Sequence, residues 1–175
     1  MTKVLFCCIF ASFIYIIKKQ DIMQKKNPIE EARRYVANAE EVIKKANYDP
    51  ELKIYTDSKY VKMAGNTLWN GCLIALDALF GISKRKGRPD IKKYKEEAGK
   101  RDKKLLASIL GGYDTMHLSM GYDGTRNKKA CDSGFEYAND IINRCAMMLP
   151  SPVQSADHLF PLSHVAAHAI SPQMH

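Results

Sequence analysis

The stretch Ser58–Gly81, SKYVKMAGNTLWNGCLIALDALFG, constrains the fold most, because between Lys62 and Lys84 the only charged residue is Asp77. Small or apolar residues at Val61, Ala64, Leu68, Cys72, Ala75 and Leu79 recur at helical spacing, and Tyr60, Thr67, Gly71, Ile74 and Ala78 add a second row. From Trp69 onward the helix is apolar nearly all round, so several neighbouring elements must cover it. Asp57 or Ser58 is placed to accept from the free first-turn N–H groups, and Gly81 to close the helix in a left-handed conformation.

The neighbours read as helices too. Asn27, Pro28, Glu30 and Glu31 make a helix start, with a cap, a proline whose missing N–H is harmless, and acids at the positive end of the dipole. Its apolar positions, Ile29, Ala32, Tyr35 or Val36, Ala39, Val42 or Ile43, and Ala46, recur at three and four. Asn47 to Pro50 reads as a turn and Leu52 to Thr56 as a short lead into the central helix. Asp90 caps a third helix, with Ile91, Tyr94 and Ala98 inward, that Gly99 weakens and that resumes through Leu105, Ile109, Tyr113 and Met120, kinked at Gly111 and Gly112. A fourth, about Thr125 to Leu149, carries Cys131, Phe135, Ala138, Ile142 and Cys145 as a seam. No segment alternates as a strand would. The expected fold is all-α, an antiparallel four-helix bundle over residues 23–149 with irregular extensions at both ends.

Those extensions differ. Residues 4–17 are apolar apart from Ser12, yet about 21 Å of helix falls short of a bilayer's roughly 30 Å core. No cleavage site for a signal peptide follows them, and Met23 opens a stretch that reads as the start of a soluble protein. Residues 1–22 are therefore expected to be an upstream extension from a misassigned start, or else a tether; membrane contact is expected only if they are translated and retained. Residues 150–175 hold no Lys or Arg and read as a flexible tail. His164 and His168, with His158 or His175, are weak candidates for a metal; a tail without preorganised geometry is the expected reading. The five cysteines show no CxxC spacing, and Cys72, Cys131 and Cys145 fall at apolar positions, which points to structural thiols in a reducing, cytoplasmic setting.

The net charge of +8 is concentrated: residues 84–104 hold eleven Lys or Arg against four acids. Lys84, Arg85, Lys86, Arg88, Lys92, Lys93, Lys103 and Lys104 are candidates for holding phosphates, although an ordinary solvated face has the same composition. Asp77, buried by its context, needs a partner, and Asn66 and Asn70 on the same helix raise the same question. Tyr113 and His117 lie one turn apart and suit either general acid–base work or packing, with Asp114 and Asp123 nearby and Trp69 as filler of a core or interface. Nucleotide-loop, zincin and nucleophile-elbow motifs are absent, so no cofactor is expected.

Three segments together, AGNTLWNGCLIALDALFG, YDTMHLSMGYDG and TRNKKACDSGFEYANDIINRC, resemble the HEPN-like bacterial helical bundles, and in particular a family of small uncharacterised bacterial proteins with a domain of unknown function. The resemblance covers about Asn27 to Met148. It implies a domain that dimerises and, in many relatives, cleaves RNA or accompanies nucleotidyltransferases in toxin–antitoxin and defence systems. Catalytic members place a His four to six residues after an Arg; Arg126 suits that Arg, but no His occurs through Ser133. The expected function is thus a non-catalytic, homodimeric interaction module of unknown partner. A nucleic-acid-binding protein or weak RNase using residues 84–104, with Arg126, His117 and Tyr113 near the backbone, is the alternative.

Overall fold

The computed structural model describes residues 27–83 and 87–150. The expectations for residues 1–22, for Lys84, Arg85 and Lys86, and for the histidines of the C-terminal tail lie outside the described residues. The described chain is mostly helical: α1 (Pro28–Lys44), a hairpin of β1 (Tyr48–Asp49) and β2 (Ile54–Tyr55), then α2 (Ser58–Phe80), α3 (Ile91–Arg101), α4 (Lys103–Gly112), a π-helical segment (Tyr113–Asp123) and α5 (Lys128–Met148).

Helix α2 packs against α1, the π-helical segment and α5, and from Gly71 to its end no residue is exposed, as its apolar second half requires. Val61, Ala64, Leu68, Cys72, Ala75 and Leu76 are fully enclosed there. Asp57 accepts from the Lys59 N–H at 2.9 Å to start the helix, and Gly81, at φ 66°, ends it. Asn27 starts α1 in the same way through the Ile29 N–H, and Asp90 starts α3 through the Lys92 N–H. Burial pushes the Cys131 thiol up to about 11 and the Cys145 thiol up to about 12, and it raises Cys72 as well, so all three stay protonated inside the core.

Four expectations change. The lead into α2 is one strand of an antiparallel hairpin, pairing Tyr48 with Tyr55 and Asp49 with Ile54. Two polar residues make it: Asp49 Oδ1 accepts from the N–H groups of Glu51 and Leu52, and Lys53 takes a positive φ of 53°. A two-residue strand is too short to show alternation. The closing helix begins at Lys128, capped by Asn127 through the Ala130 N–H, so Arg126 precedes it. The third arm, expected to weaken at Gly99, breaks at Asp102 instead, whose backbone is extended and whose carboxylate caps α4 through the Lys104 N–H at 2.7 Å. Arg144 of α5 reaches Asp102 Oδ2 at 3.4 Å and Asp140 Oδ2 at 2.9 Å, and the buried Ser108 hydroxyl donates to Asp140 as well. The break is thereby tied to α5. After Gly112 the arm winds on as a π helix rather than merely kinking.

Among the described residues no helix is long and apolar enough to cross a membrane.

Candidate functional site

Asp77 is 5% exposed, and two side chains answer it. The Tyr94 hydroxyl of α3 donates to Oδ1 at 2.6 Å, and the Arg88 Nε, just before α3, donates to Oδ2 at 3.3 Å. Arg88 also donates through Nη1 to Asn70 Oδ1 at 3.0 Å. A buried carboxylate is tolerable only when paired and hydrogen-bonded, and this network achieves both while fastening the start of α3 onto α2. Burial first, and the Asp77 carboxylate second, hold the Tyr94 phenol well above the ordinary tyrosine range.

Beside this network lies a cavity of about 210 Å³. Trp69 and Leu73 of α2 form one side, Arg88 to Ile91 and Tyr94 another, and Tyr113 and His117 of the π-helical segment a third. The Trp69 ring centroid lies 5.6 Å from that of Tyr113 and 6.1 Å from that of His117, and Tyr113 and His117 are 5.1 Å apart. These are the distances of mutually attractive edge and offset contacts. The Lys95 ammonium sits 5.2 Å from the Tyr113 ring centroid, close enough for cation–π attraction. His117 Nδ1 is shielded from solvent and has no hydrogen-bond partner among the described residues. Leaving such a group unpaired costs about 1–3 kcal/mol. The π helix, a rare winding that recurs at functional sites, therefore places a costly histidine against a cavity.

The structure brings together Asp77, Asn70, Arg88, Tyr113, His117 and Trp69, which the sequence offered under separate headings. It separates others. Asn66 is exposed rather than buried, its amide donating to the Lys62 and Gly121 carbonyls at 3.0 and 3.3 Å. Asn70 is likewise exposed. Arg126 does not line the cavity; its carbonyl accepts from the Tyr55 N–H at 2.7 Å and its side chain is exposed. Asp114 and Asp123 are exposed outside it as well.

Of the basic candidates, Lys92 and Lys93 are exposed on α3, and Lys103 and Lys104 are exposed on the first turn of α4. Arg88 turns inward to Asp77, so its charge is already opposed. Sequence reasoning missed Tyr94 and Arg88 as the partners of Asp77. The signal was present in the isolated acid itself, because a partner had to be an Arg or a hydroxyl from an element packed against α2. No group of His, Cys, Asp and Glu among the described residues is arranged to hold a metal ion.

No curated protein matches the chain. A solved structure, a protein of unknown function from Dyadobacter fermentans, is similar, with 38% identity over 70% of this chain and 96% of that one and a TM-score of 0.65. The family model of a domain of unknown function, DUF5618, matches residues 27–147, which takes in every side chain that lines the cavity, and the chain belongs to that family.

Proposed function

We propose that this protein is a non-catalytic, HEPN-like helical module that acts in the cytoplasm by pairing with a second copy of itself. Counting α3, α4 and the π-helical segment as one broken arm leaves four arms in the order that the HEPN resemblance implies. One observation carries the reading. Tyr48, Leu52, Met63 and Tyr122, four of the large apolar side chains exposed among the described residues, belong to the hairpin, the first half of α2 and the end of the π-helical segment, elements that are bonded to one another or to the start of α5. The hairpin is joined to Arg126 and Asn127, and Asn66 of α2 bonds Gly121 of the π-helical segment. Leu52 and Tyr122 are 67% and 76% exposed. Large apolar side chains exposed on linked elements favour a protein partner, and in a homodimer the same surface meets itself.

Sedimentation equilibrium of the full chain tests this. Wild type is expected at twice the chain mass at micromolar concentration, and the double variant Leu52→Glu/Tyr122→Glu at the chain mass with an unchanged helical circular dichroism spectrum. A wild-type protein that is monomeric throughout the concentration series overturns the reading.

A second reading rests on a different observation: among the described residues Lys92, Lys103 and Lys104 make no close ion pair and Lys93 only a longer-range attraction to Glu97, whereas Lys100 and Arg101 are paired with Glu97 directly. Four exposed lysines outside close ion pairs suit a polyanion such as RNA. The affinity for single-stranded RNA would then fall steeply with salt, and changing the four lysines to Gln would flatten that slope.

A further inference from the structure

We infer that the cavity between α2, the start of α3 and the π-helical segment binds a small, uncharged, planar heteroaromatic ring with a hydrogen-bonding edge, the chemistry of a nucleobase. Shape is the first argument. Trp69 from one side and Tyr113 and His117 from another bring three rings, at centroid separations of 5.1 to 6.1 Å, against a space of about 210 Å³. Aromatic faces take a flat ring by stacking with little regard to its identity. Leu73, Pro89 and Ile91 add apolar surface, and Asp90, whose carboxylate accepts from the Lys92 N–H, completes the lining with Arg88 and Tyr94. A cavity of about 150 Å³ accepts benzene, so the larger one here suits a substituted ring or a fused bicycle.

Polarity is the second argument, and it selects the ligand's charge. Arg88 has five N–H donors, of which Nε is used by Asp77 and one on Nη1 by Asn70. The rest make no further hydrogen bond among the described residues, and Arg88 is part of the cavity lining. Because Asp77 already opposes the guanidinium charge, the site has no call for an anion: a ring carbonyl or ring nitrogen suits it better than a phosphate or carboxylate. His117 makes the same point from the other side. Its imidazole lines the cavity, yet Nδ1 is shielded from solvent and has no hydrogen-bond partner among the described residues. A modest turn of the imidazole would bring a ring nitrogen to the polar edge of a bound heterocycle and remove that deficit. The inference does not depend on dimerisation, since the cavity is built from one chain.

Trp69 is the only tryptophan of the chain, so its fluorescence reports on this cavity alone. The full-length protein is titrated with adenine and, separately, with AMP, exciting at the red edge of the tryptophan band. Adenine is expected to quench Trp69 saturably, and AMP to bind within about threefold of it, because the guanidinium that lines the cavity is already opposed by Asp77. His117→Phe keeps a ring in the wall but removes its nitrogens, and it is expected to weaken adenine about tenfold, the value of one hydrogen bond. Ile91→Phe, which fills the half-buried rim and leaves His117 intact, is expected to abolish the quench while thermal unfolding stays cooperative. Three results overturn the inference: no saturable quench up to the solubility limit of adenine, wild-type affinity in His117→Phe, or AMP binding more than about tenfold tighter than adenine, which would make the phosphate the recognised group.

Discussion

The α1–α2 contact and the arm from Ile91 to Asp123 solve one packing problem by opposite means. On the α1 side, small residues let two regular helices approach: a β-carbon placed on Gly71 would stand 2.8 Å from Tyr35 Cβ and 3.1 Å from the Ala32 carbonyl oxygen. Nothing polar is needed there, and Ala32, Val36 and Ala39 are closed from solvent by fit alone. The arm, in contrast, is broken at Asp102, winds as a π helix after Gly112, and is fastened by charged groups: Asp77 with Arg88 and Tyr94, and Asp102 and Asp140 with Arg144. Regular packing makes a rigid wall. Irregular winding, held by hydrogen bonds, is what leaves a cavity beside the wall and sets Tyr113 and His117 against it.

If the α1 face stands on fit alone, adding volume there should be the most damaging change. Gly71→Val places two methyl groups beyond a β-carbon that already collides with Tyr35 Cβ and crowds the Ala32 carbonyl of α1. The expected cost is about 3 kcal/mol, the upper part of the range for overpacking, read as a lower urea midpoint at an unchanged m-value. A cost near zero would mean that the two helices slide apart easily and that the contrast between wall and arm is false.

That contrast also explains what the sequence disclosed. Periodicity over Ser58–Phe80 and the caps at Asn27, Asp57 and Asp90 are local signals, set by each residue's own neighbours in the chain, and they place α1, α2 and the start of α3. The break at Asp102 is not local in that sense. Asp102 is an ordinary solvated acid until Arg144, far along the chain on α5, arrives to hold it. The π-helical winding leaves no distinct spacing either, since residues four apart share a face in an α helix as well. The site followed the same rule. Asp77 was visible as an acid needing a partner, but Arg88 looked like one more member of a basic run, and Tyr94 like one more inward aromatic. Only tertiary packing joins them, and the hairpin, two residues a side, lay below the length at which alternation can be read.

Tyr94 tests whether the polar fastening of the arm contributes stability or only registers it. Tyr94→Phe keeps the ring, which is 1% exposed, and deletes the hydrogen bond to a carboxylate that remains bonded to Arg88. The expected loss at neutral pH is about 2 kcal/mol, as for a bond to a charged group. Its pH dependence has a definite sign. The folded-state pKa of Tyr94 is raised above its unfolded value of 10.0, so its contribution is complete below pH 10 and declines as pH rises beyond it, where the unfolded phenol ionises and the folded one resists. Wild type minus Tyr94→Phe, measured by urea unfolding at several pH values, should therefore shrink above pH 10. A difference that is constant across that range would mean that the phenol is not held protonated by the fold.

The smallest effect belongs to Ser108, where the arm touches α5. Its hydroxyl is 7% exposed and makes two contacts, one with the Lys104 carbonyl at 2.9 Å and one with Asp140. Removing it leaves neither acceptor stranded: the Lys104 carbonyl lies in the first turn of a helix, and Asp140 keeps Arg144 at 2.9 Å. Deleting a bond is costly mainly when a buried partner is left unpaired, and here the partners have others. Ser108→Ala is thus expected to cost about 1 kcal/mol, partly offset by the better helix propensity of alanine. A loss well above that, in thermal unfolding of the full chain, would show that Asp140 and Arg144 hold the arm only while Ser108 orients the carboxylate. The fastening would then be a single cooperative network rather than two separable bonds, and Arg144→Lys, which keeps the charge but not the fork that spans Asp102 and Asp140, should reproduce the same loss.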